Sequence, residues 1–388
     1  MVSRIGLIGA SCRAMAASLV RSGVSVAAAD LFADYDLQQI GEARALKSYP
    51  WSAPRWLRET DMDAWCYTGG MENYPRLIQR MAGEKRLLGN SATTLRLVRD
   101  PFLLADLAKA NGFAFPETHR VYDPAFDPIH PQLSDQWLLK PFKSAGGLNM
   151  EMVSVLPALP HRFYVQRRML GVPMSAVVLS MRDESWIVGT SRLLVGTDYG
   201  APGPFVFAGA ISTYPPNFEA IEPIAHAIYH EFGMKGLWGF DYLEADEPVL
   251  LEVNPRWTAT MPLHERMRDD GLMKHHLQAC LNQEVDLLPQ YAVGVSGMRI
   301  IYAKRSLRVT EEMVERMDDA FAFRNPYSLL APRIGDIPNP GTIIEQGHPV
   351  CTLYADGNGE SLVEEALVAS ETQLDAIIYA EGSSSGGG

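Results

Sequence analysis

The apolar positions of this chain change period several times, and each change predicts an element. Ile5-Gly-Leu-Ile-Gly-Ala-Ser-Cys12 is an apolar run that breaks into a glycine turn. A strand buried on both faces of a parallel sheet has this pattern. The Ala- and Met-rich stretch Arg13 to Arg21 predicts a helix, stopped by Ser22-Gly23, and Val24 to Asp30 a second strand ending in an acid. Together they make a βαβ unit. Asp34 to Tyr49 predicts a loop with a short strand from Ala43. Trp51 to Asp61 is a helix, Ala64 to Gly70 a strand running into Gly-Gly, and Tyr74 to Ala82 another helix. Leu88-Gly-Asn90 closes the sheet. Ser91 is placed to cap a helix over Ala92 to Val98. Asp100, with Pro101 at the first helical position, starts one that reaches Asn111-Gly112.

Strand patterns then dominate. Phe115 to Thr118 leads into a strand. Trp137-Leu-Leu-Lys140-Pro141 is a strand ending in a lysine, followed by the small-residue loop Phe142 to Met150. Arg162 to Gln166 is a strand that continues into an extended connector, Arg167 to Gly171. Val172 to Ser180, Ser185 to Gly189 and Val206 to Tyr214 read as strands, with a mobile loop at Thr197 to Phe205. Phe218 to Phe232 is an amphipathic helix closed by Gly233. Leu272 to Cys280 is helical, with Lys274, His275 and His276 expected on its surface. From Ser296 onward, short strands (296–303, 342–345, 349–355) alternate with Pro/Gly turns before a last helix, Gly359 to Ala376. The expected division is 1–98, a small α/β domain; 99–290, a larger α/β domain; 291–380, a small β-rich domain; and 381–388, a low-complexity flexible tail or linker.

The stretch that organises the chain is Gly239 to Arg256. Two apolar runs flank a polar turn at Ala245 to Glu247, which predicts a β-hairpin. Asp241 and Glu252 lie about equally far from the turn, so they fall opposite one another with Cβ atoms roughly 5 Å apart. Asn254, two residues beyond Glu252, shares that face. Two facing carboxylates repel unless a cation neutralises them. A hard divalent ion takes oxygen ligands from a few carboxylates and from substrate phosphates. Solvated acids on a surface hairpin would explain Asp246 and Glu247, but poorly explain Glu252 inside the run Val-Leu-Leu-Glu-Val-Asn.

Three other sites carry chemistry in their residue types. The loop Ser144-Ala145-Gly146-Gly147-Leu148 offers bare backbone N–H groups that can wrap phosphate oxygens, and Lys140 can pair with them as a point charge; taken alone, the same loop reads as an ordinary turn. The βαβ start invites a dinucleotide with Asp30 on a ribose. It carries Gly6 and Gly9 but not G-x-G-x-x-G, so a Rossmann-like domain without nucleotide is the reading taken. Glu72 and Tyr74 follow the carboxyl end of a parallel strand, where small ligands bind in open α/β sheets. An ordinary polar loop explains them equally well.

Composition bounds the rest. An apolar share of 47% and a charged share of 21% over 388 residues are those of a soluble globular protein. A net charge of −12 argues against nucleic acid or anionic membrane as a partner. No apolar run approaches the ~18 residues of a membrane span. Ile5 to Ala10 is shorter than the roughly 7–15 residues of a signal core. Cys12, Cys66, Cys280 and Cys351 are scattered without ligand spacing, as expected of reduced thiols in a cytoplasmic protein.

With Lys140, the glycine loop, the Gln166 connector and the Glu252-Val-Asn-Pro-Arg256 run in this order, the chain resembles the ATP-grasp superfamily over roughly residues 1 to 355. The resemblance implies an α/β fold with a Rossmann-like N-terminal domain, a two-part nucleotide clamp and a small β-rich C-terminal domain. It implies ATP and Mg²⁺, or Mn²⁺, together with small-molecule carboxylate and amine substrates. ATP phosphorylates the carboxylate, and the amine attacks the acyl phosphate to give an amide, ADP and phosphate. Carried over by motif, Asp241, Glu252 and Asn254 are the metal ligands, and Lys140 holds the nucleotide phosphates. Ser144, Ala145, Gly146, Gly147 and Leu148 form the phosphate lid. Gln166, Arg167 and Met169 form the adenine-reading hinge, and Arg256 steadies the phosphoryl group or the acyl phosphate. Relatives are often homodimers.

Two departures stand out. Asp100-Pro101 occupies the place of the usual Asp-Lys, which leaves Arg99 as a substitute for a second phosphate cation. Pro173-Met174 stands where many members carry a ribose-binding acid. Within the superfamily, the Rossmann-like start, the Arg-Asp-Pro variant and the Asp336 to Thr352 segment are most similar to proteins of one-carbon cofactor pathways. Those include relatives of the tyramine–glutamate ligase of methanofuran synthesis, which implies an amino acid such as glutamate joined to an aromatic amine or amino acid. Two other classes stay open: a carboxylase that activates bicarbonate, and a nucleotide-binding protein without catalysis.

Overall fold

The computed structural model describes residues 2–123, 136–153, 158–182, 184–215, 218–266, 268–285, 294–325 and 330–380. The tail expected at 381–388 lies outside them.

The N-terminal part alternates strands and helices: β1 (Arg4–Ile8), α1 (Arg13–Arg21), β2 (Ser25–Asp30), α2 (Tyr35–Ile40), β3 (Glu42–Ala45), α3 (Ala53–Glu59), β4 (Ala64–Tyr67) and α4 (Pro75–Ala82). Its sheet is parallel throughout, in the order β3-β2-β1-β4. β1 is buried on both faces, which its unbroken apolar run requires. Leu88 adds a bond on the outer side of β4, its N–H donating to the Trp65 carbonyl at 2.8 Å. The helix α2 was not expected, because Asp36, Gln38 and Gln39 give it no apolar stripe. Tertiary contacts set it. Asp36 is buried, accepts from Arg13 Nε at 2.7 Å, and accepts the backbone N–H groups of Asp336 and Ile337 at 3.1 and 3.0 Å.

Two capped helices lead out of this part, α5 (Ala92–Val98) and α6 (Pro101–Asn111). Ser91 accepts the Thr94 N–H at 3.2 Å, and Asp100 accepts the Phe102 N–H at 2.9 Å. A small antiparallel sheet follows, from β5 (Thr118–Arg120), β6 (Trp137–Pro141), β7 (Glu151–Met152) and β8 (Phe163–Arg167), in the order β5-β8-β6-β7. The next strands are β9 (Val172–Met181), β10 (Glu184–Val195) and β11 (Phe207–Thr213). Helix α7 (Phe218–Phe232) precedes the hairpin of β12 (Gly236–Glu244) and β13 (Val249–Asn254). The apolar stripe of α7, Ile221, Ile224, Ile228 and Phe232, packs on Val178, Trp238 and Phe240 of the sheet.

Helix α8 (Leu272–Cys280) corrects one expectation. His275 and His276 are buried, not surface residues. His276 Nδ1 accepts the Leu237 N–H at 2.9 Å and Nε2 lies 3.2 Å from the Leu88 carbonyl. Burial lowers its pKa to about 4, so the ring is neutral and acts as a backbone bridge. His275 Nε2 lies 2.9 Å from Asp270 Oδ2. Lys274 is half-buried.

The C-terminal elements are β14 (Val295–Tyr302), β15 (Leu307–Arg308), α9 (Glu311–Phe321), β16 (Ile334–Gly335), β17 (Ile343–Ile344), β18 (Pro349–Gly357) and α10 (Glu360–Ile378). β14 pairs with β11, and the large sheet runs β13-β12-β9-β10-β11-β14-β18-β16. Helix α9 was not foreseen. It is capped by Thr310, which accepts the Met313 N–H at 3.1 Å, and buries Met313, Val314, Met317 and Phe321.

Candidate active site

The hairpin of β12 and β13 places two acids side by side. Asp241 pairs with Glu252, and Gly239 with Asn254. The register then slips by one residue, so Tyr242 pairs with Leu250 and Leu251 has no cross-strand partner. This bulge puts Leu251 and Glu252, consecutive residues, on the wall of one cavity. Asn254 Nδ2 donates to Asp241 Oδ2 at 3.1 Å. Burial first, and then the neighbouring Glu252, raise the Asp241 pKa to about 7. Ser175, its partner on β9, and Arg256 oppose that rise.

Asn254 turns its Nδ2 toward Asp241 and its Oδ1 toward Arg256, so its oxygen would reach a cation beside the acids only with the amide flipped. Two carboxylates and that oxygen are then the donor set of a hard divalent ion, which would relieve the repulsion that adds to burial in raising the Asp241 pKa. Among the described residues no three His, Cys, Asp or Glu side chains converge, so a metal here would depend on the Asn254 amide as its third protein ligand.

The cavity measures about 510 Å³, within the range of small-molecule sites. Lys140, Ser144, Gly146, Gly147, Gln166, Arg167, Met169, Asp241, Glu252, Asn254 and Arg256 all line it, although they come from two different sheets and their connections. Ala145 and Leu148 do not: Leu148 projects to solvent, 51% exposed. Gly146 and Gly147 have φ of +60° and +74°, a turn that side chains resist. A Cβ on Gly147 would sit 1.8 Å from the Phe205 carbonyl oxygen. The Phe207 N–H donates to the Gly146 carbonyl at 3.0 Å. The segment around Pro204, Phe205 and Phe207 is therefore the surface on which the glycine loop rests. The sequence pattern alone predicts only a mobile loop running into a strand there.

Lys140 and Gln166 work as a pair. Lys140 Nζ donates to Gln166 Oε1 at 3.0 Å, and Gln166 Nε2 donates to Thr118 Oγ1 at 3.1 Å. Burial pulls the Lys140 pKa down, but Tyr164, Glu252 and Asp241 outweigh it, so the ammonium is held charged. In the connector, the N–H groups of Arg167 and Arg168 are bonded to the carbonyls of Glu117 and Gln136, at 2.8 and 2.7 Å. The charged residues on the wall are Lys140, Arg167, Arg168 and Arg256 against Asp241 and Glu252, an excess of positive charge suited to phosphates.

Arg256 leaves β13 after Pro255 and turns toward the N-terminal sheet. Its Nε donates to Glu72 Oε1 at 2.7 Å, Nη1 to the Trp257 carbonyl at 3.0 Å and Nη2 to Asn254 Oδ1 at 3.3 Å. The Glu72 side chain is wholly buried, so it touches protein and not a ligand. Arg99 is absent from the cavity wall. Its Nη1 lies 3.4 Å from Glu72 Oε1, and its Nη2 donates to Asn73 Oδ1 and to the Ser144 carbonyl at 3.1 and 3.3 Å.

Both oxygens of Asp30 accept backbone N–H groups. One oxygen accepts the Cys12 N–H at 2.9 Å, and the other accepts the N–H groups of Phe32 and Ala33 at 3.1 and 2.7 Å. The carboxylate fills the place at the start of α1 where a dinucleotide phosphate would lie.

Comparison with known proteins agrees with this geometry. Residues 99–260 match the family model of the ATP-grasp domain, so this segment is similar to ATP-grasp domains. An uncharacterised protein of Methanocaldococcus jannaschii is 22% identical over 293 residues, which is 73% of this chain and 67% of that protein. The L-amino acid ligase of Bacillus licheniformis superposes with a TM-score of 0.68 at 14% identity, covering 96% of this chain and 97% of the ligase. Carboxyaminoimidazole ribonucleotide synthase of Aspergillus clavatus, solved with ATP, gives 0.68 at 15% identity, covering 97% and 99%. Likeness at these identities is likeness of fold. No helix among the described residues is long and apolar enough to cross a membrane, and Cys12, Cys66, Cys280 and Cys351 are buried and form no disulfide.

Proposed function

We propose that the chain is an ADP-forming carbon–nitrogen ligase, which phosphorylates a carboxylate with ATP and passes the acyl group to an amine. One observation carries this reading: the Asp241/Glu252/Asn254 hairpin and Arg256 face Lys140 and the Gly146-Gly147 turn across a single cavity. A carboxylate oxygen of the substrate attacks the γ-phosphorus of ATP, and ADP leaves. The amine nitrogen attacks the acyl carbon of the resulting acyl phosphate, phosphate leaves and the nitrogen loses a proton. Such transfers need positioning and charge neutralisation more than a covalent helper. Lys140, fixed by Gln166, holds nucleotide phosphate. Arg256 steadies the transferring group. The glycine loop, seated on Phe205, keeps water from the acyl phosphate. Asp241, Glu252 and the Asn254 amide oxygen would hold Mg²⁺ or Mn²⁺, which when bound neutralises phosphate charge. The hinge from Gln166 to Met169 borders the base, with the Arg167 and Arg168 N–H groups already committed to other carbonyls.

The resemblance to tyramine–glutamate ligase relatives makes glutamate and aromatic amines the first pair to try, with a role in cofactor biosynthesis. Buried, unpaired thiols fit a cytoplasmic enzyme, and a homodimer fits the superfamily. A second reading, activation of bicarbonate, draws on the likeness to carboxyaminoimidazole ribonucleotide synthase. The test is release of ADP and phosphate from Mg-ATP with pools of amino acids and amines, with and without bicarbonate. Release that requires both a carboxylate and an amine supports the ligase. Release that requires bicarbonate in place of the amino acid moves the reading to a carboxylase.

A further inference from the structure

The ligase reading leaves one buried charge unused. Glu72 lies in the short turn after β4, and its carboxylate is removed from solvent. A buried carboxylate costs several kcal/mol unless paired, and a buried ion pair is at best a weak source of stability. That cost points to a role in orientation. The partners of Glu72 show which. Oε1 accepts from Arg256 Nε at 2.7 Å and lies 3.4 Å from Arg99 Nη1. A Cβ on Gly69 would be 3.4 Å from Arg256 Cζ, so the glycine turn lets the guanidinium lie flat on the N-terminal backbone.

A guanidinium has five N–H bonds in a rigid fork. Three of those on Arg256 are committed, to Glu72, the Trp257 carbonyl and Asn254 Oδ1, and two are left on the wall of the cavity. Glu72 takes the bond at Nε, at the stem of the fork, with the shortest of the three contacts and the one that carries a full opposite charge. The same turn also reaches the glycine loop: Arg99 and Asn73 both donate to the Ser144 carbonyl, and Lys143 Nζ sits 5.5 Å from the Tyr74 ring centroid.

We propose that Glu72 is a positioning residue for phosphoryl transfer: it locks Arg256 so that its two uncommitted N–H bonds meet the transferring phosphoryl group. The inference rests on the ligase reading. The N-terminal domain thus contributes to chemistry through a side chain that touches neither nucleotide nor substrate.

The test uses Mg-ADP, alone and with aluminium fluoride as a mimic of the transferring phosphoryl group, with Kd read by calorimetry. Fluoride should tighten Mg-ADP binding to the wild type. Glu72→Gln should lose about tenfold or more of that tightening, the loss of one charge-assisted bond. Mg-ADP alone should stay within about twofold. In an Arg256→Lys background, Glu72→Gln should make no further difference, because its effect passes through that fork. Glu72→Asp keeps the charge with a shorter reach, and should lose part of the tightening if the amide variant does not fold. The proposal is overturned if Glu72→Gln keeps the tightening, if it costs as much without Arg256, or if it weakens Mg-ADP alone equally. A wild type that binds Mg-ADP without tightening overturns the role of Arg256, and with it that of Glu72. A wild type that binds no Mg-ADP overturns the ligase reading itself.

Discussion

Replacing Glu252 by glutamine should make the metal-free protein more stable while removing its response to Mg-ATP. Asp241 and Glu252 are direct cross-strand partners. With carboxylates about 5 Å apart and an effective dielectric of about 20, their repulsion is roughly 3 kcal/mol. The Asp241 pKa supports that scale. Its rise from 3.8 to about 7 corresponds to about 4 kcal/mol, of which burial supplies the largest share and Glu252 the next. Arg256 and Ser175 offset part of it. A net gain of about 1–2 kcal/mol is therefore expected for Glu252→Gln without divalent ions, an upward Tm shift of about 1–3 °C for a chain of this length. Mg-ATP should raise the Tm of the wild type and leave the variant nearly unmoved.

The pH dependence has a definite sign. The folded state binds the Asp241 proton more tightly than the unfolded chain, so this group's contribution to stability falls as pH rises from about 4 to about 7. The wild type should lose more stability across that window than Glu252→Gln does. Thermal melts from pH 5 to 8, with EDTA or Mg-ATP, read all of this. A variant that melts lower than the wild type in EDTA, or keeps the full Mg-ATP shift, refutes the reasoning.

Other perturbations act on separate parts of the site. Lys140→Ala should weaken ATP binding by about tenfold or more, the loss of a charge-assisted contact, measured by calorimetry; an unchanged affinity would mean that the lysine does not meet phosphate. Gly147→Ala forces a Cβ against the Phe205 carbonyl at a φ of +74°, so the loop should lift from its seat at a cost of about 1–3 kcal/mol. Faster proteolysis of the loop and a higher KM for ATP would register it. Ser91→Ala removes a helix cap that does not line the cavity and should cost about 1 kcal/mol of stability with turnover intact, which makes it a control for folding effects.

Local rules carried the sequence reading a long way. Ser91 and Asp100 capped the helices their residue types announced. Arg13–Arg21 and Phe218–Phe232 formed as helices over the expected residues. Asp241 met Glu252 as expected, but through a bulge: the register set by the turn would place it opposite Leu251, and the slip between Tyr242 and Asp241 moves it on to Glu252. What failed depended on distant partners. The polar helix α2 exists because Asp36 is buried against Arg13 and residues three hundred positions away. His275 and His276 looked like surface residues until α8 packed on β12, where a neutral imidazole could serve a backbone N–H. Arg99 was expected beside phosphate from its place in the chain, and the contacts its guanidinium makes, with Glu72 and the Ser144 carbonyl of the glycine loop, depend on packing that the sequence did not show.

The chain by itself determined which chemistry was on offer: the order of lysine, glycine loop, connector and Glu-Val-Asn-Pro-Arg run, and two acids on the two arms of a short hairpin. These are local features, fixed by alternation, capping and turn residues within a few positions. Tertiary structure decided which of them meet. Lys140 and Asp241 lie on different sheets, and only the packing of those sheets puts them on one cavity. The burial that lifts the Asp241 pKa, the Phe205 seat beneath Gly147 and the Glu72 lock on Arg256 are all long-range contacts. Charges and steric fits of that kind depend on distance in space, which residue spacing along the chain does not encode.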